Sequence, residues 1–241
     1  MTVSIVTGAG SGIGRATASA LAARGDDVVC ADLDGEAAAT TAASLSSGVA
    51  RQVDVAAREE CDALVSSTVD AFGRVDVLVA AAGIERSAPG DELDDDAWLT
   101  TLAVNLNGVF WCARAAGRAM LAGDGGRMVL IGSINSQMAL GGQAAYCASK
   151  GGVLMLARAL AVDWGSRGVA VNVVGPGVVD TPMSARSLAD PDRRAALMGR
   201  TPLRRPAGAE EIAAVIDFLT SPRASYVNGA YVPVDGGWLA G

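Results

Sequence analysis

Short apolar runs rich in β-branched residues recur along the chain, with stretches of helical periodicity between them. The first four are Val3–Val6 (VSIV), Asp27–Ala31 (DVVCA), Val49–Val53 (VARQV) and Val75–Ala80 (VDVLVA). Arg127–Gly132 (RMVLIG), Val169–Val174 (VAVNVV) and Ala230–Asp235 (AYVPVD) follow in the second half. Segments such as Gly14–Arg24, Glu59–Phe72, Trp98–Met120 and Tyr146–Ser166 separate them. This alternation predicts an α/β fold, a doubly wound sheet of about seven mostly parallel strands with helices on both faces. No Pro/Ser-rich linker or repeat of fixed period interrupts it, so residues 1–241 read as a single domain. Two irregular stretches, Gly83–Asp96 and Gly175–Gly208, are longer than simple connections need and invite a function. The second mixes Met183, Leu188, Leu197, Met198 and Leu203 with Arg186, Arg193, Arg194 and Arg200, as an amphipathic flap would.

Composition narrows the core and the partners. Hydrophobic residues make up 51% of the chain but aromatics only 4%, so the core must be built from Ala, Val, Leu and Ile, which suits parallel strands under Ala-rich helices. With 26 acidic against 19 basic residues the net charge is −7, and no basic stretch is interleaved with aromatics, so nucleic acid is not expected as a partner. No apolar run approaches the roughly 18 residues a membrane span needs. The opening MTVSIVTGAG enters a strand without a charged leader region, so a soluble, cytoplasmic protein with no membrane partner is expected. Cys30, Cys61, Cys112 and Cys147 are scattered, none forms a C-x-x-C pair, and there is no histidine, so no metal site is expected and the thiols read as inert.

TGAGSGIG, Thr7–Gly14, follows the first predicted strand and opens the first predicted helix. Gly8 allows a tight turn, Gly12 lets backbone approach a pyrophosphate, Gly14 permits close helix–strand packing, and the helix N-terminus attracts phosphates. Among 30 glycines such a triplet is a weak signal alone; its position, with Asp32 twenty residues past Gly12 at the end of the second strand, makes it a dinucleotide-binding signature. There the Asp32 carboxylate can accept both adenosine ribose hydroxyls, which NAD offers and NADP does not. The alternative is a helix-capping Asp before Leu33 and Asp34. No Arg or Lys lies between Arg24 and Arg51, and Ser11 precedes Gly12, so the local segment holds no cation for a 2′-phosphate.

Without histidine, proton transfer near neutral pH needs a retuned side chain. In AAYCASKGG, Tyr146 and Lys150 stand four apart on one helix face. A surface Tyr over a Lys stem would look the same. A free Tyr has a pKa of about 10, and a cation about 6 Å away at an effective dielectric near 20 lowers it by roughly two units. A positively charged nicotinamide could supply the rest. Ser133, in LIGSINS at a strand end, is either a turn hydroxyl or a group that hydrogen-bonds a substrate oxygen beside the phenol; Ser136 is its rival.

TGAGSGIG, Asp32, Asp54-Val55, AAAG, VNLNG, Ser133, YCASK, Pro176-Gly177, DTPM and VDGG together resemble the short-chain dehydrogenase/reductase family over essentially the whole chain. The resemblance implies a Rossmann-like fold and a hydride transfer between NAD(H) and a secondary alcohol or ketone. It implies Tyr146 as general acid/base, Lys150 lowering its pKa and binding the nicotinamide ribose, Ser133 orienting the carbonyl, and Asn105 holding a water that links Lys150 to solvent. Gly8, Ser11, Gly12, Ile13, Gly14 and Asp32 would hold the dinucleotide. Asp54 and Val55 would flank adenine, Gly83 would pass beside the cofactor with Pro176 and Gly177, and Val179 and Thr181 would contact the carboxamide. It also implies a homotetramer built on a four-helix interface; the amphipathic stretch 175–208 reads from its own residues as a substrate lid, with a solvated helix as the alternative. One motif departs: the usual NNAG is AAAG here, with Ala80 and Ala81 in place of amides that would brace the sheet and the cofactor loop. The competing readings are an NADPH-dependent ketoreductase of the 3-oxoacyl carrier-protein type, against which Asp32 argues, and a non-catalytic NAD-sensing protein.

Overall fold

The computed structural model describes residues 1–241. Seven strands form one sheet in the order β3-β2-β1-β4-β5-β6-β7. They are β1 (Val3–Thr7), β2 (Asp27–Asp32), β3 (Gly48–Gln52), β4 (Val77–Ala80), β5 (Gly126–Ile131), β6 (Val169–Pro176) and β7 (Tyr231–Val234). Every pairing is parallel, from Val3 beside Asp27 in β1–β2 to Val174 beside Val232 in β6–β7. β1, β2 and β4 are almost wholly buried, as strands covered on both faces must be.

Helices α1 (Gly12–Ala23), α2 (Gly35–Ala43), α3 (Arg58–Phe72), α4 (Asp95–Leu102), α5 (Val109–Ala122), α6 (Ala144–Trp164), α7 (Ala185–Ala189), α8 (Pro191–Arg200) and α9 (Ala209–Thr220) connect the strands. The predicted helical stretch Trp98–Met120 is in fact α4 and α5 joined by a π-helical turn over Ala103–Gly108. The core divides between the two faces. Ile5, Leu78 and Leu130 pack under α3, α5 and α6, while Val6, Val79 and Val129 pack under α1 and α9. The order of connection reverses between β1 and β4, so the loops after Thr7 and Ala80 part there and open a crevice at the C-terminal edge of the sheet, where open α/β sheets bind ligands.

α6 alone satisfies the length and hydropathy of a membrane span, yet its Val153, Ala157 and Ala161 are buried in the sheet-side core and Lys150 is buried in its second turn. Its apolar length reflects that packing.

Candidate active site

Thr7 ends β1, and Gly8 and Gly12 turn the chain into α1 with φ of +69° and +48°. A Cβ on Gly14 would lie 2.0 Å from the Gly8 carbonyl oxygen, so α1 can start this close to β1 only with glycine there. Ser11, the N-cap, makes no capping bond with its side chain, and the open N–H groups of the first turn face a cavity of about 1010 Å³ lined also by Ile13, Asp32 and Asp54. Asp32 accepts hydrogen bonds from Gly10 N at 2.7 Å and Asp34 N at 3.0 Å. The cap of α2 is Asp34, which accepts from Glu36 N and Ala37 N, so the capping alternative for Asp32 falls. One cation does reach this corner: the Arg15 guanidinium donates to the Gly10 carbonyl. Arg15 lies outside the cation-free segment between Arg24 and Arg51 and reaches this corner from the start of α1.

Further along this cavity, Asp54 accepts from Ala56 N at 2.9 Å and its own N–H is held by Glu60 at 2.7 Å, while Val55 is buried beneath. A glycine cradle, an uncapped helix start and a carboxylate at the second strand end fit a dinucleotide in shape and in donor set.

A second cavity of about 1040 Å³ continues from the first, sharing Ile13, Ala81, Gly83, Thr181 and Met183. Tyr146, Lys150 and Ser133 all line it. Lys150 is only 4% exposed, its Nζ donates to the Ile131 carbonyl at 2.8 Å, and it lies 5.6 Å from the Tyr146 ring centroid. Burial pushes its pKa down to about 8. Burial, with the Glu85 charge second, pushes the Tyr146 phenol up to about 12, while the Ser133 hydroxyl pulls it back. Protein groups alone thus do not deliver the lowered phenol pKa expected from the Tyr146–Lys150 spacing, because burial of the phenol dominates.

Ser133 begins a short 3₁₀ turn. Its hydroxyl accepts from Asn135 N at 3.1 Å, and its carbonyl accepts from the Tyr231 hydroxyl of β7 at 2.8 Å. Ser136, the rival, turns back to accept from Ser133 N at 3.2 Å and does not line the cavity.

Asn105 sits within the π turn, an irregularity frequent at functional sites. Its Oδ1 accepts from Ile84 N and its Nδ2 donates to the Ile84 carbonyl, both at 2.8 Å. A Cβ on Gly83 would come within 3.4 Å of Asn105 Oδ1 and 3.7 Å of Lys150 Nζ, which places the Gly83 backbone against both. The AAAG loop is held despite its missing amides: besides the Asn105 clamp, Ala81 N and Ala82 N both donate to Thr7 Oγ1, at 3.2 and 3.3 Å.

Pro176, Gly177 and Val179 line the second cavity, and Thr181 lies where the two cavities meet. Gly177 presses so closely on Asp235 that a Cβ would lie 2.7 Å from its Cα. Among the wall residues that the sequence reading missed are Glu85, Gln143, Asn135 and Trp238. The first two stand two positions past Gly83 and three before Tyr146, so their nearness to motifs was the available signal.

The model for enoyl-(acyl carrier protein) reductases matches residues 8–239. The chain belongs to the short-chain dehydrogenase/reductase family. It is 42% identical over 240 residues to a D-threitol dehydrogenase from Mycolicibacterium smegmatis, spanning 98% of this chain and 92% of that one. It is 40% identical over 243 residues to a 3-oxoacyl-[acyl-carrier-protein] reductase from Synechocystis, spanning 98% and 96%. A solved gluconate 5-dehydrogenase from Burkholderia cenocepacia, in complex with NADP and tartrate, superposes with a TM-score of 0.94 at 33% identity, covering 100% of this chain and 96% of that one. This short-chain dehydrogenase/reductase is therefore an oxidoreductase that uses a nicotinamide dinucleotide and interconverts a secondary alcohol and a ketone.

Proposed function

We propose that the chain is an NAD-preferring dehydrogenase in which Tyr146 is the general acid/base. The observation that carries this reading is the meeting of the Tyr146 phenol, the Ser133 hydroxyl and the Lys150 ammonium in one cavity continuous with the glycine cradle. The bound dinucleotide supplies the hydride acceptor or donor and, when oxidised, a positive charge near the phenol. In the oxidative direction Tyr146 takes the alcohol proton, Ser133 holds the same oxygen, and Lys150 stabilises the phenolate. Asn105 fixes the Gly83–Ile84 backbone against Lys150, a post compatible with the water relay the family resemblance implies. The stretch 175–208 acts as the lid, since its Met183, Ser187 and Leu197 face the cavity.

NAD preference rests on Asp32. The NADP-bound relative and the Arg15 guanidinium at Gly10 support the second reading, use of both cofactors. Exposed Trp98 and Leu99 on α4 and Met155 and Val162 on α6 support a homotetramer. Four free cysteines, with Cys61 and Cys112 unbonded at 3.4 Å between sulfurs, suit a reducing cytoplasm.

The test is nucleotide reduction with a panel of secondary alcohols, run beside Tyr146→Phe. The variant keeps nucleotide binding and loses at least about a hundredfold in kcat. Near-normal kcat in Tyr146→Phe overturns the assignment, and tight binding without turnover on every alcohol favours a sensor.

A further inference from the structure

The acid/base reading leaves one wall of the catalytic cavity without a task. Along it, Gln143 Nε2 donates to Glu85 Oε1 at 2.6 Å, and the Ser87 hydroxyl donates to the same oxygen at 2.8 Å. Asn135 Nδ2 donates to Gln143 Oε1 and to Cys147 Sγ. Asn135 is 4% exposed, and its backbone N–H is fixed by the Ser133 hydroxyl. The row therefore starts at the Ser133 hydroxyl and runs outward as Asn135, Gln143, Glu85. Its inner hydrogen bonds leave Glu85 Oε2 and Asn135 Oδ1 as acceptors without a protein donor, and one Gln143 amide hydrogen free.

Across the cavity stand Val178, Met183, Leu197 and Trp238. The charged side chains lining the space are Glu85 and Lys150; Lys150 gives one N–H to the Ile131 carbonyl and holds its charge beside the Tyr146 ring, at the opposite end of the row from Glu85. No arginine of the lid lines this cavity. Arg200 stacks on the outer Trp238 ring at 4.8 Å, Arg204 donates to the Met198 and Gly199 carbonyls, and Arg205 is paired with Glu211.

We propose that this wall selects an uncharged polyhydroxylated substrate, with Glu85 and Asn135 accepting from the hydroxyls next to the reacting carbinol and Glu85 repelling substrates that carry a carboxylate there. The inference rests on the acid/base reading above for where the reacting carbon sits. Adjacent hydroxyls can each donate to one of these acceptors while one of them accepts the free Gln143 amide hydrogen, whereas a carboxylate can accept but has nothing to donate. An alcohol without a second hydroxyl would leave the acceptors facing it unpartnered, and sites built to bond a hydroxyl reject analogues that lack one. The influence of Glu85 on the Tyr146 phenol places its charge close to the reacting centre.

The test compares four-carbon substrates of one length: a tetritol, the matching tetronate and sec-butanol. In the unmodified enzyme kcat/KM for the tetritol exceeds that for the tetronate by at least about thirtyfold, with sec-butanol between them. Glu85→Gln narrows the tetritol-to-tetronate ratio by about tenfold or more, through KM rather than kcat, and Glu85→Lys shifts the preference toward the tetronate. Glu85 is exposed, so both variants keep the fold. Equal efficiency with tetritol and tetronate in the unmodified enzyme, or an equal fall in kcat on all three substrates in Glu85→Gln, overturns the proposal. Calorimetric binding of the same ligands to Tyr146→Phe saturated with NAD reads the wall without turnover. Selective binding there upholds the wall even if the acid/base assignment fails, and unselective binding sinks it even if that assignment holds.

Discussion

Replacing Lys150 with methionine should make the protein more stable while destroying its activity. Lys150 is 4% exposed, and burial moves its pKa from an ordinary 10.5 to about 8. A lowered folded-state value means that the unfolded chain binds more protons between those two pH values. The residue's contribution to stability is therefore fully favourable only above about pH 10.5 and is lost as pH falls through about 8. At pH 7 the shift corresponds to roughly 3 kcal/mol of destabilisation, at 1.36 kcal/mol per unit. Methionine has a similar length and no charge to bury. It leaves the Ile131 carbonyl without its donor, which costs about 1 kcal/mol. The net gain is roughly 2 kcal/mol, or about 4 to 8 °C in Tm for a chain of this size. At pH 10 folded Lys150 is already neutral, the ionic contribution falls below about 1 kcal/mol, and the advantage should vanish. Thermal unfolding of both proteins without added nucleotide, at pH 7 and pH 10, reads this directly. A lower Tm for Lys150→Met at pH 7, or an equal gain at both pH values, would refute the reasoning.

Asp32→Ala should shrink an NAD over NADP preference in kcat/KM that stands at about a hundredfold or more in the unmodified enzyme; equal efficiency with both cofactors before mutation shows that Arg15 offsets the Asp32 charge. Asn105→Ala strands both backbone groups of Ile84 and should cost about 2 kcal/mol in stability, with a raised KM for the nucleotide, as urea titration and steady-state kinetics would show. An unchanged unfolding midpoint would mean the clamp is dispensable. Light scattering at micromolar concentration should give four times the chain mass, and a monomer would count against the exposed faces of α4 and α6 as an interface.

Much of the architecture was legible because buried parallel strands must be apolar along their whole length, as β1, β2 and β4 are, and β-branched runs marked the less buried edge strands β3 and β7 as well. The boundaries of β1, β2 and β6 agree to within two residues at each end. The π turn was not legible: Ala103–Gly108 has helical periodicity on both sides, and one widened turn leaves no compositional mark. The glycine cradle could be read since each glycine answers a local steric demand, as Gly14 shows against Gly8. Asp32 could be placed at a strand end, but Arg15 beside it could not, because a long side chain's direction is set by packing. Nor could the height of the Tyr146 pKa be read. Spacing gave the nearness of Lys150, while the burial that raises the phenol is set by tertiary packing that no local pattern records. The meeting of Cys61 with Cys112 across α3 and α5 is of the same kind.

The bond from the Tyr231 hydroxyl to the Ser133 carbonyl spans 98 positions of the sequence, and Trp238, further along still, closes part of the same cavity. During synthesis Ser133, Tyr146 and Lys150 leave the ribosome well before the strand that buttresses them. Until β7 arrives, Val173–Pro176 of β6 present unpaired backbone groups at a sheet edge, a template for strands of other nascent chains. The interval between translating Val174 and translating Val234 is thus the window in which this enzyme is both inactive and most prone to aggregate, and slowing elongation there would lengthen it.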